Sequence, residues 1–300
     1  MIPARQAALR DILAQDELAK SNAFLQQLAS IVKIAGPLGG GLLLSHMEPR
    51  SAMLVNVAAY LLGIAVLLRL PSFPPCKART SKSHSLEQSP SHRSLALIRV
   101  VYRDYPQAWA LTPVILCLPA TMMVFDATTS IIVRDLLQAG EGLLGILVSL
   151  IGLGTLISST GLVLRKHEAN PWDDLIRGQA LLLAIPISVV IAPHFTPEIG
   201  RIMVGILCFI GGLGNGFTYV QTLTLLQLVA PDGAVGQVTG IYQGAVAISQ
   251  LVAGVLTPLL VSTYLPLPVL FGALTLVMVL LMVQVWLNRR RVASSWSMAK

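Results

Sequence analysis

A single lysine inside a long apolar run is the residue best placed to do chemistry. Lys33 lies near the middle of an apolar segment from about 24 to 45, in which it is the only charged residue. A segment of roughly 20 apolar residues is long enough to cross a bilayer. A cation at that depth is costly and by default marks a functional site. Lys33 could bind an anionic substrate or pair with a carboxylate; alternatively, its ammonium reaches the interface or caps helix carbonyls.

Two sets of small residues indicate close helix contacts. The first set follows Lys33 and consists of Gly36, Pro37 and Gly40. The second set, spaced every four residues in a later apolar run, consists of Gly236, Gly240 and Gly244. Small residues let two membrane helices approach closely, and a proline adds a bend. The first set is open to two interpretations, a hinge or simple packing, whereas packing is the better interpretation of the second.

One carboxylate lies inside a later span. Asp126 is roughly 27 Å along its helix when counted from about residue 108 at 1.5 Å per residue, which places it near the far face of the membrane. A carboxylate in an apolar wall favours its protonated form and could carry a proton for transport. At that depth Asp126 could equally reach interfacial water, so both interpretations stay open.

The sixth apolar span has an unusually polar face. Four polar side chains recur there at spacings of three and four residues: Asn215, Thr218, Tyr219 and Thr222. A polar stripe is unfavourable on a helix that faces only lipid, so these residues favour a wall of a substrate cavity. The alternative is that they form hydrogen bonds to a neighbouring helix. Gln243 on the next span is a weaker candidate of the same kind.

The sequence contains no motif of a catalytic or metal centre. HExxH, GxxxxGK[ST] and GxSxG are all absent, and the five histidines and three cysteines show no metal-ligand spacing. The adjacent carboxylates Asp173 and Asp174 are placed to cap the start of a helix. We therefore expect neither an enzyme nor a bound cofactor or metal.

Composition indicates an integral membrane protein. The 300 residues are 54% hydrophobic and 12% charged, with a mean hydropathy of +0.73, whereas soluble domains carry about 25% charged residues. The sequence predicts an all-α, polytopic membrane helix bundle of eight transmembrane helices. The predicted spans are 24–45, 51–70, 108–133, 142–164, 175–193, 202–228, 238–261 and 266–287.

Charge asymmetry sets the expected topology. Of the 21 Lys and Arg residues, 17 lie in the termini and in one set of connections. The positive-inside rule assigns that set to the cytoplasm, so both termini face inward and the number of spans is even. The net charge of +7 is explained by these loops, and no nucleic acid is expected as a partner.

The predicted spans divide the chain into five parts. Residues 1–23 form a cytoplasmic amphipathic segment, 24–70 two helices, and 71–107 a cytoplasmic linker rich in Ser, Pro, Lys and Arg. Residues 108–287 form a six-helix bundle, and 288–300 a cytoplasmic tail.

Several stretches resemble the major facilitator superfamily, in its branch of exporters related to the enterobactin and macrolide efflux proteins. PARQAAL at 3–9, LAKSNA at 18–23 and GPLGG at 36–40 resemble the loop before helix 5 and the glycine-proline antiporter signature of that helix. LQAGEGLLG at 137–145 resembles the hairpin of helices 7 and 8, and LQLVAPDG at 226–233 the loop between helices 10 and 11.

The resemblance implies a fold, a function and partners. The family has twelve helices, so the eight here would be helices 5 to 12 of an N-terminally truncated, incomplete fold. Helices 7 and 10 line the family's cavity, and Lys33 stands where the family usually has an arginine. The implied function is proton-coupled efflux of a small molecule such as a drug, siderophore or metabolite, across the cell inner membrane. The implied partners are the lipid bilayer, the substrate and protons, with a further chain able to supply helices 1 to 4. The alternative is a non-transporting remnant or an accessory subunit of a split transporter.

Overall fold

The computed structural model describes residues 17–46, 49–69, 103, 107–165, 170–230, 235–263 and 266–296. Every regular element formed by these residues is a helix. In chain order the α-helices are α1 (Leu18–His46), α2 (Pro49–Leu68), α3 (Gln107–Ile131), α4 (Glu141–Leu164), α5 (Pro171–Leu182), α6 (Ala184–Ile191), α7 (Pro197–Val229), α8 (Val235–Thr263) and α9 (Leu267–Trp296). The prediction of an all-α membrane bundle is confirmed.

Among the residues that the structure describes, six helical segments are long and apolar enough to cross a membrane. They are Leu111–Leu136, Gly142–Leu164, Pro171–His194, Pro197–Leu228, Val235–Val261 and Leu267–Asn288. These segments correspond to the last six predicted spans. The first two predicted spans fall on α1 and α2; in α2 the described apolar stretch Val57–Val66 is shorter than a span. We refer to α3–α9 as the C-terminal bundle.

Two predicted boundaries differ from the structure. Helix α1 begins at Leu18, so residues 18–23, predicted as part of a separate cytoplasmic segment, continue into the first span. They do so because Leu18 and Ala23 are buried against the bundle. Helix α9 extends to Trp296, past the predicted end at 287. The predicted linker at 71–107 lies almost entirely outside the described residues.

The predicted fifth span is broken in its middle. Helix α5 ends at Leu182 and α6 begins at Ala184, with Leu183 between them. Pro186 lies in the first turn of α6, where its missing N–H removes no helical hydrogen bond, whereas it could not continue α5 without losing one. The apolar run is thus interrupted at Leu183, although the backbone N–H groups of Leu183 and Ile187 still donate to the carbonyls of Gln179 and Leu183 and the run remains one span, Pro171–His194.

Glycines bring α7 into backbone contact with its neighbours. A β-carbon on Gly154 of α4 would lie 2.7 Å from the backbone nitrogen of Leu213. One on Gly214 of α7 would lie 2.8 Å from the carbonyl carbon of Leu181 in α5. Both distances are shorter than β-carbons tolerate, so only glycine allows α7 to pack this closely on both flanks.

The structure thus has a small-residue seam on α7, a helix for which the sequence predicted none. A β-carbon on Gly244 of α8 would meet no described atom within 4 Å. The predicted seam of α8 thus has no neighbour at Gly244 in the described part of the chain. For Gly236 and Gly240, packing stays a prediction.

Arg201 links α7 to the segment that follows α3, at the end of the bundle where α7 begins. Arg201, in the first turns of α7, donates from Nε to the carbonyl of Leu137 at 2.9 Å and from Nη2 to that of Gln138 at 2.6 Å. These carbonyls follow the π-helical turn Ile132–Leu136 that extends α3. Gln138 has a φ of 47°, which ends the helix in a left-handed residue.

We expect Gly154→Ala to destabilise the protein while Gly145→Ala on the same helix does not. The first β-carbon enters the α4–α7 contact and overpacks it, at a cost of about 1–3 kcal/mol. The second meets no described atom within 4 Å and gains the better helix propensity of alanine. Thermal unfolding of the detergent-purified variants measures the difference, which should amount to several degrees. Equal melting temperatures would show that the seam does not hold α7.

Candidate functional site

The candidate site is the polar face of α7. This helix packs against α4 on one flank, α5 and α6 on another, and α1 towards its C-terminal end. Its first half is rich in glycine and its second half in amide and hydroxyl side chains. A bilayer offers no water to such groups, so each must find a partner inside the protein.

Asn215 is bound to the neighbouring helix. Its Nδ2 donates to Oγ1 of Thr155 in α4 at 3.3 Å, and its side chain is half-buried. The same Thr155 hydroxyl lies 2.9 Å from the carbonyl oxygen of Ile151 and 3.1 Å from that of Gly212. Asn215 therefore keeps part of its amide available while α4 fixes its orientation.

The other three residues of the predicted stripe point to different neighbours. Thr218 is buried against Gly178 of α5, and its Oγ1 has no hydrogen-bond partner among the described residues. Thr222 is also buried. Tyr219 is half-buried and packs against an apolar cluster that includes Tyr242 of α8. Within the predicted stripe, Thr218 and Thr222 are thus buried, whereas Asn215 and Tyr219 are half-buried. A role in a substrate wall stays a prediction.

The remaining predicted site residues lie elsewhere. Asp126 is exposed on α3, and Gln243 is half-buried on α8. The backbone at Lys33, Gly36, Pro37 and Gly40 is helical within α1, but their surroundings lie outside the described residues. The structure neither brings Asp126 into the buried polar groups of α7 nor tests the lysine.

Sequence reasoning missed a buried carboxylate. Asp174 was interpreted as a helix cap, but the cap is Asn170, whose side chain accepts a hydrogen bond from the Trp172 backbone N–H at 3.0 Å. Asp174 is only 1% exposed and lies between α5, α7 and the end of α4. The sequence held one signal for it, the basic residue Arg177 three positions later on the same helix face.

Three donors hold this carboxylate. Arg165, which follows the last residue of α4, donates from Nη1 to Oδ2 at 2.5 Å. Gln221 of α7 donates from Nε2 to the same oxygen at 3.2 Å, and Arg177 reaches Oδ1 at 3.4 Å. Two basic side chains and an amide thus surround the buried carboxylate of Asp174, and the two arginine side chains themselves are 34% and 66% exposed. We call Asp174, Arg165, Arg177 and Gln221 the ionic cluster.

Helix α1 contributes a second polar contact that the sequence did not reveal. Asn22 is buried and donates from Nδ2 to Oε1 of Gln227 at 2.8 Å and to Oγ1 of Thr224 at 3.2 Å. Gln27 donates from Nε2 to Oγ1 of Thr160 in α4 at 2.6 Å. The two helical turns at the end of α7 are thereby attached both to α5 and to α1.

The arrangement can bind and orient polar groups. In the part of the chain that the structure describes, no three His, Cys, Asp or Glu residues are grouped to hold a metal ion. The described helices offer neutral hydrogen-bonding groups in the bundle interior. Near one end they also carry the ionic cluster.

Comparison with known proteins agrees with this architecture. The sequence model of the Major Facilitator Superfamily matches residues 1–254. A search of curated proteins returns no significant match.

We expect Arg165→Met to destabilise the protein and Asp174→Asn, added to it, to restore part of the loss. Removing Arg165 leaves a buried carboxylate short of one charge; because Arg165 is 34% exposed, the cost should be about 1–3 kcal/mol, below the full value for a buried pair. Neutralising Asp174 removes that penalty. Thermal unfolding in detergent measures the stability of the single and the double variant.

The matched control is Arg134→Met. Arg134 pairs with Asp135 at 2.8 Å, but the two side chains are 80% and 54% exposed, so no measurable change is expected. If Arg165→Met behaves like Arg134→Met, the ionic cluster does not stabilise the bundle.

Proposed function

Because the chain belongs to the major facilitator superfamily of membrane transporters, we propose that it takes part in secondary active efflux of a small molecule coupled to protons. The supporting observation is the half-buried pair Asn215 and Tyr219 inside the membrane-spanning bundle. Secondary transporters bind their substrates near the bilayer midplane, between bundles that rock against each other.

Asn215 is the residue we assign to substrate recognition. Its hydrogen bond to Thr155 uses one N–H of the amide, which leaves the carbonyl oxygen and the second N–H for a ligand. Tyr219 lies one turn further along α7 and offers an aromatic face to an amphipathic molecule. Such a pair suits a small molecule with both polar and apolar parts.

Asp126 and Lys33 are proposed to serve coupling. The span Leu111–Leu136 contains two acidic residues, Asp126 and Asp135. Asp135 follows Arg134 directly, whereas Asp126 has no basic neighbour in the sequence. Its exposed position on α3 allows it to exchange a proton with a hydrated cavity. Lys33 would then bind an anionic substrate group or brace the bend at Pro37.

A second candidate function is that of a subunit in a split transporter. Helix α2 is apolar and exposed over most of its described length, with Leu54, Tyr60 and Leu62 each 70% exposed. Lipid alone can cover such a helix, but so can four further membrane helices on a partner chain. We expect this chain to insert on its own and to export substrate only when such helices are supplied.

The proposed location is the cell inner membrane, with both termini in the cytoplasm. Arg165 and Arg177 then lie on the cytoplasmic side with the ionic cluster, and Arg201 on the outer side. In a cysteine-free background, a membrane-impermeant maleimide should label His194→Cys but not Glu17→Cys in intact cells, because both side chains are exposed at opposite ends of the described helices. Labelling of Glu17→Cys in intact cells would reverse the topology.

The function itself is tested by efflux from a strain that lacks its own exporters. Dyes, macrolides and siderophores are followed with the chain alone and with a co-expressed partner supplying four further helices. We expect Asn215→Ala to raise the half-saturating substrate concentration about three- to ten-fold, as the loss of one neutral hydrogen bond predicts. Asp126→Asn should abolish uphill export and leave downhill exchange, because it cannot release a proton.

Two control variants remove similar groups outside the proposed site. Gln237→Ala deletes an exposed amide of α8, and Glu198→Gln neutralises an exposed acid in the first turn of α7. Both should export at the wild-type rate. Wild-type uphill export by Asp126→Asn would make Asp126 an interfacial residue, and no energy-dependent export in either arrangement would exclude the transporter function.

A further inference from the structure

Four buried polar atoms near the contact of α5 with α7 have no hydrogen-bond partner among the described residues. They are Nε2 and Oε1 of Gln179, Oγ1 of Thr218 and Oε1 of Gln221. The three side chains are at most 5% exposed. Other buried hydroxyls of the bundle, such as that of Thr129, donate to a carbonyl of their own helix. Polar groups inside a membrane bundle need partners within the protein, so these four atoms point to a ligand.

The register of the two helices brings these groups to one level of the bundle. Gln221 donates to Asp174 at 3.2 Å, and one turn further along α5 Gly178 lies against Thr218. A β-carbon on Gly178 would be 2.6 Å from Oγ1 of Thr218, so this hydroxyl lies on the side of α7 that contacts α5. Gln179 is the next residue of α5, and Gln221 follows Thr218 by one turn of α7.

The unpaired donors and acceptors match those of water. A buried water molecule typically makes about three hydrogen bonds to polar groups that have no other partner. One molecule can donate to Oε1 of Gln221 and Oγ1 of Thr218 and accept from Nε2 of Gln179. A second molecule can donate to Oε1 of Gln179. Water thus pairs all four atoms without any charge.

The glutamine side chains can make room for water without a shift of either helix. Gly178 and Gly214 hold the two backbones in contact, since a β-carbon on either would meet atoms of the other helix within 3 Å. Gln179 and Gln221 each have three rotatable side-chain bonds beside this contact. A polar cavity the size of one water molecule is enough to hold it, whereas an apolar cavity stays dry.

We propose that α5 and α7 bind internal water between Gln179, Thr218 and Gln221. We call this place the hydration site. Gln221 also belongs to the ionic cluster, because its Nε2 donates to Asp174 while its Oε1 remains for water. The hydration site is a property of the fold, so it does not depend on the transport function proposed above.

The test removes the polar groups while keeping the shape of the side chains. Thr218→Val replaces the hydroxyl by a methyl group, and Gln179→Met replaces the amide at similar length. Each variant takes one partner from the bound water and should lower the melting temperature of the detergent-purified protein by about 2–6 °C. The double variant should be no less stable than the less stable single variant, because both act on the same water.

The matched control is Thr129→Val. Thr129 is 3% exposed and donates to the carbonyl of Phe125 at 2.6 Å, so its hydroxyl needs no water. Its effect should add to that of Gln179→Met. A density map that resolves ordered water should show a peak about 2.5–3.2 Å from Oγ1 of Thr218 in the wild type and none there in Thr218→Val.

Three results would overturn the hydration site. Higher melting temperatures of both Thr218→Val and Gln179→Met would show a dry contact, since replacing an unpaired polar group by an apolar one is then stabilising. Strictly additive effects of these two substitutions would exclude a shared water. A map in which the amide of Gln179 bonds directly to Thr218 or Gln221 would replace the water by a direct contact.

Discussion

The close approach of α7 to its neighbours is the constraint on which the rest of the structure depends. Inside a bilayer the hydrophobic effect does not drive helices together, so contact area and internal hydrogen bonds must hold them. Glycines in α4, α5 and α7 bring the backbones within reach, and Gly154 and Gly214 could carry no side chain there. Only because the helices are this close can short side chains such as Thr155 bridge them.

The two attachments at the end of α7 differ in energy as well as in chemistry. A neutral intramolecular hydrogen bond contributes about 0.5–1.5 kcal/mol net, and a buried polar atom without a partner costs about 1–3 kcal/mol. The bonds of Asn22 and its unpartnered Oδ1 therefore nearly offset each other. Removing Arg165 from the ion pair of Asp174 costs about 1–3 kcal/mol, because Arg165 is 34% exposed, and the Oε1 atom of Gln221 is itself buried without a partner in the described structure. A neutral contact and an ionic one thus lie side by side on the same helix.

Hydrophobic patterning predicted the fold class and the last six spans. Both depend on the apolar composition and the length of each helix taken by itself, and the sequence shows these directly. It could not predict the break at Leu183, since the run around Pro186 stays apolar on both sides of it. For the site, periodicity placed Asn215, Thr218, Tyr219 and Thr222 on one helix but could not tell which neighbour each would meet. Asp174 was missed for the same reason: a carboxylate in a first turn looks like a cap until the arginine from the preceding helix is placed beside it.

The interruption at Leu183 gives the bundle a compliant joint. In a continuous α-helix each backbone N–H bonds to the carbonyl four residues back; Pro186 lacks that N–H near the middle of the span Pro171–His194, while Leu183 and Ile187 keep theirs to Gln179 and Leu183. On one side of the joint α5 carries the ionic cluster, and on the other Ile185 of α6 rests on Gly211 of α7. A bend applied at the end that carries the ionic cluster would be taken up as a change of angle at the joint, so the half of the bundle around Ile185 could keep its packing while the other half moves.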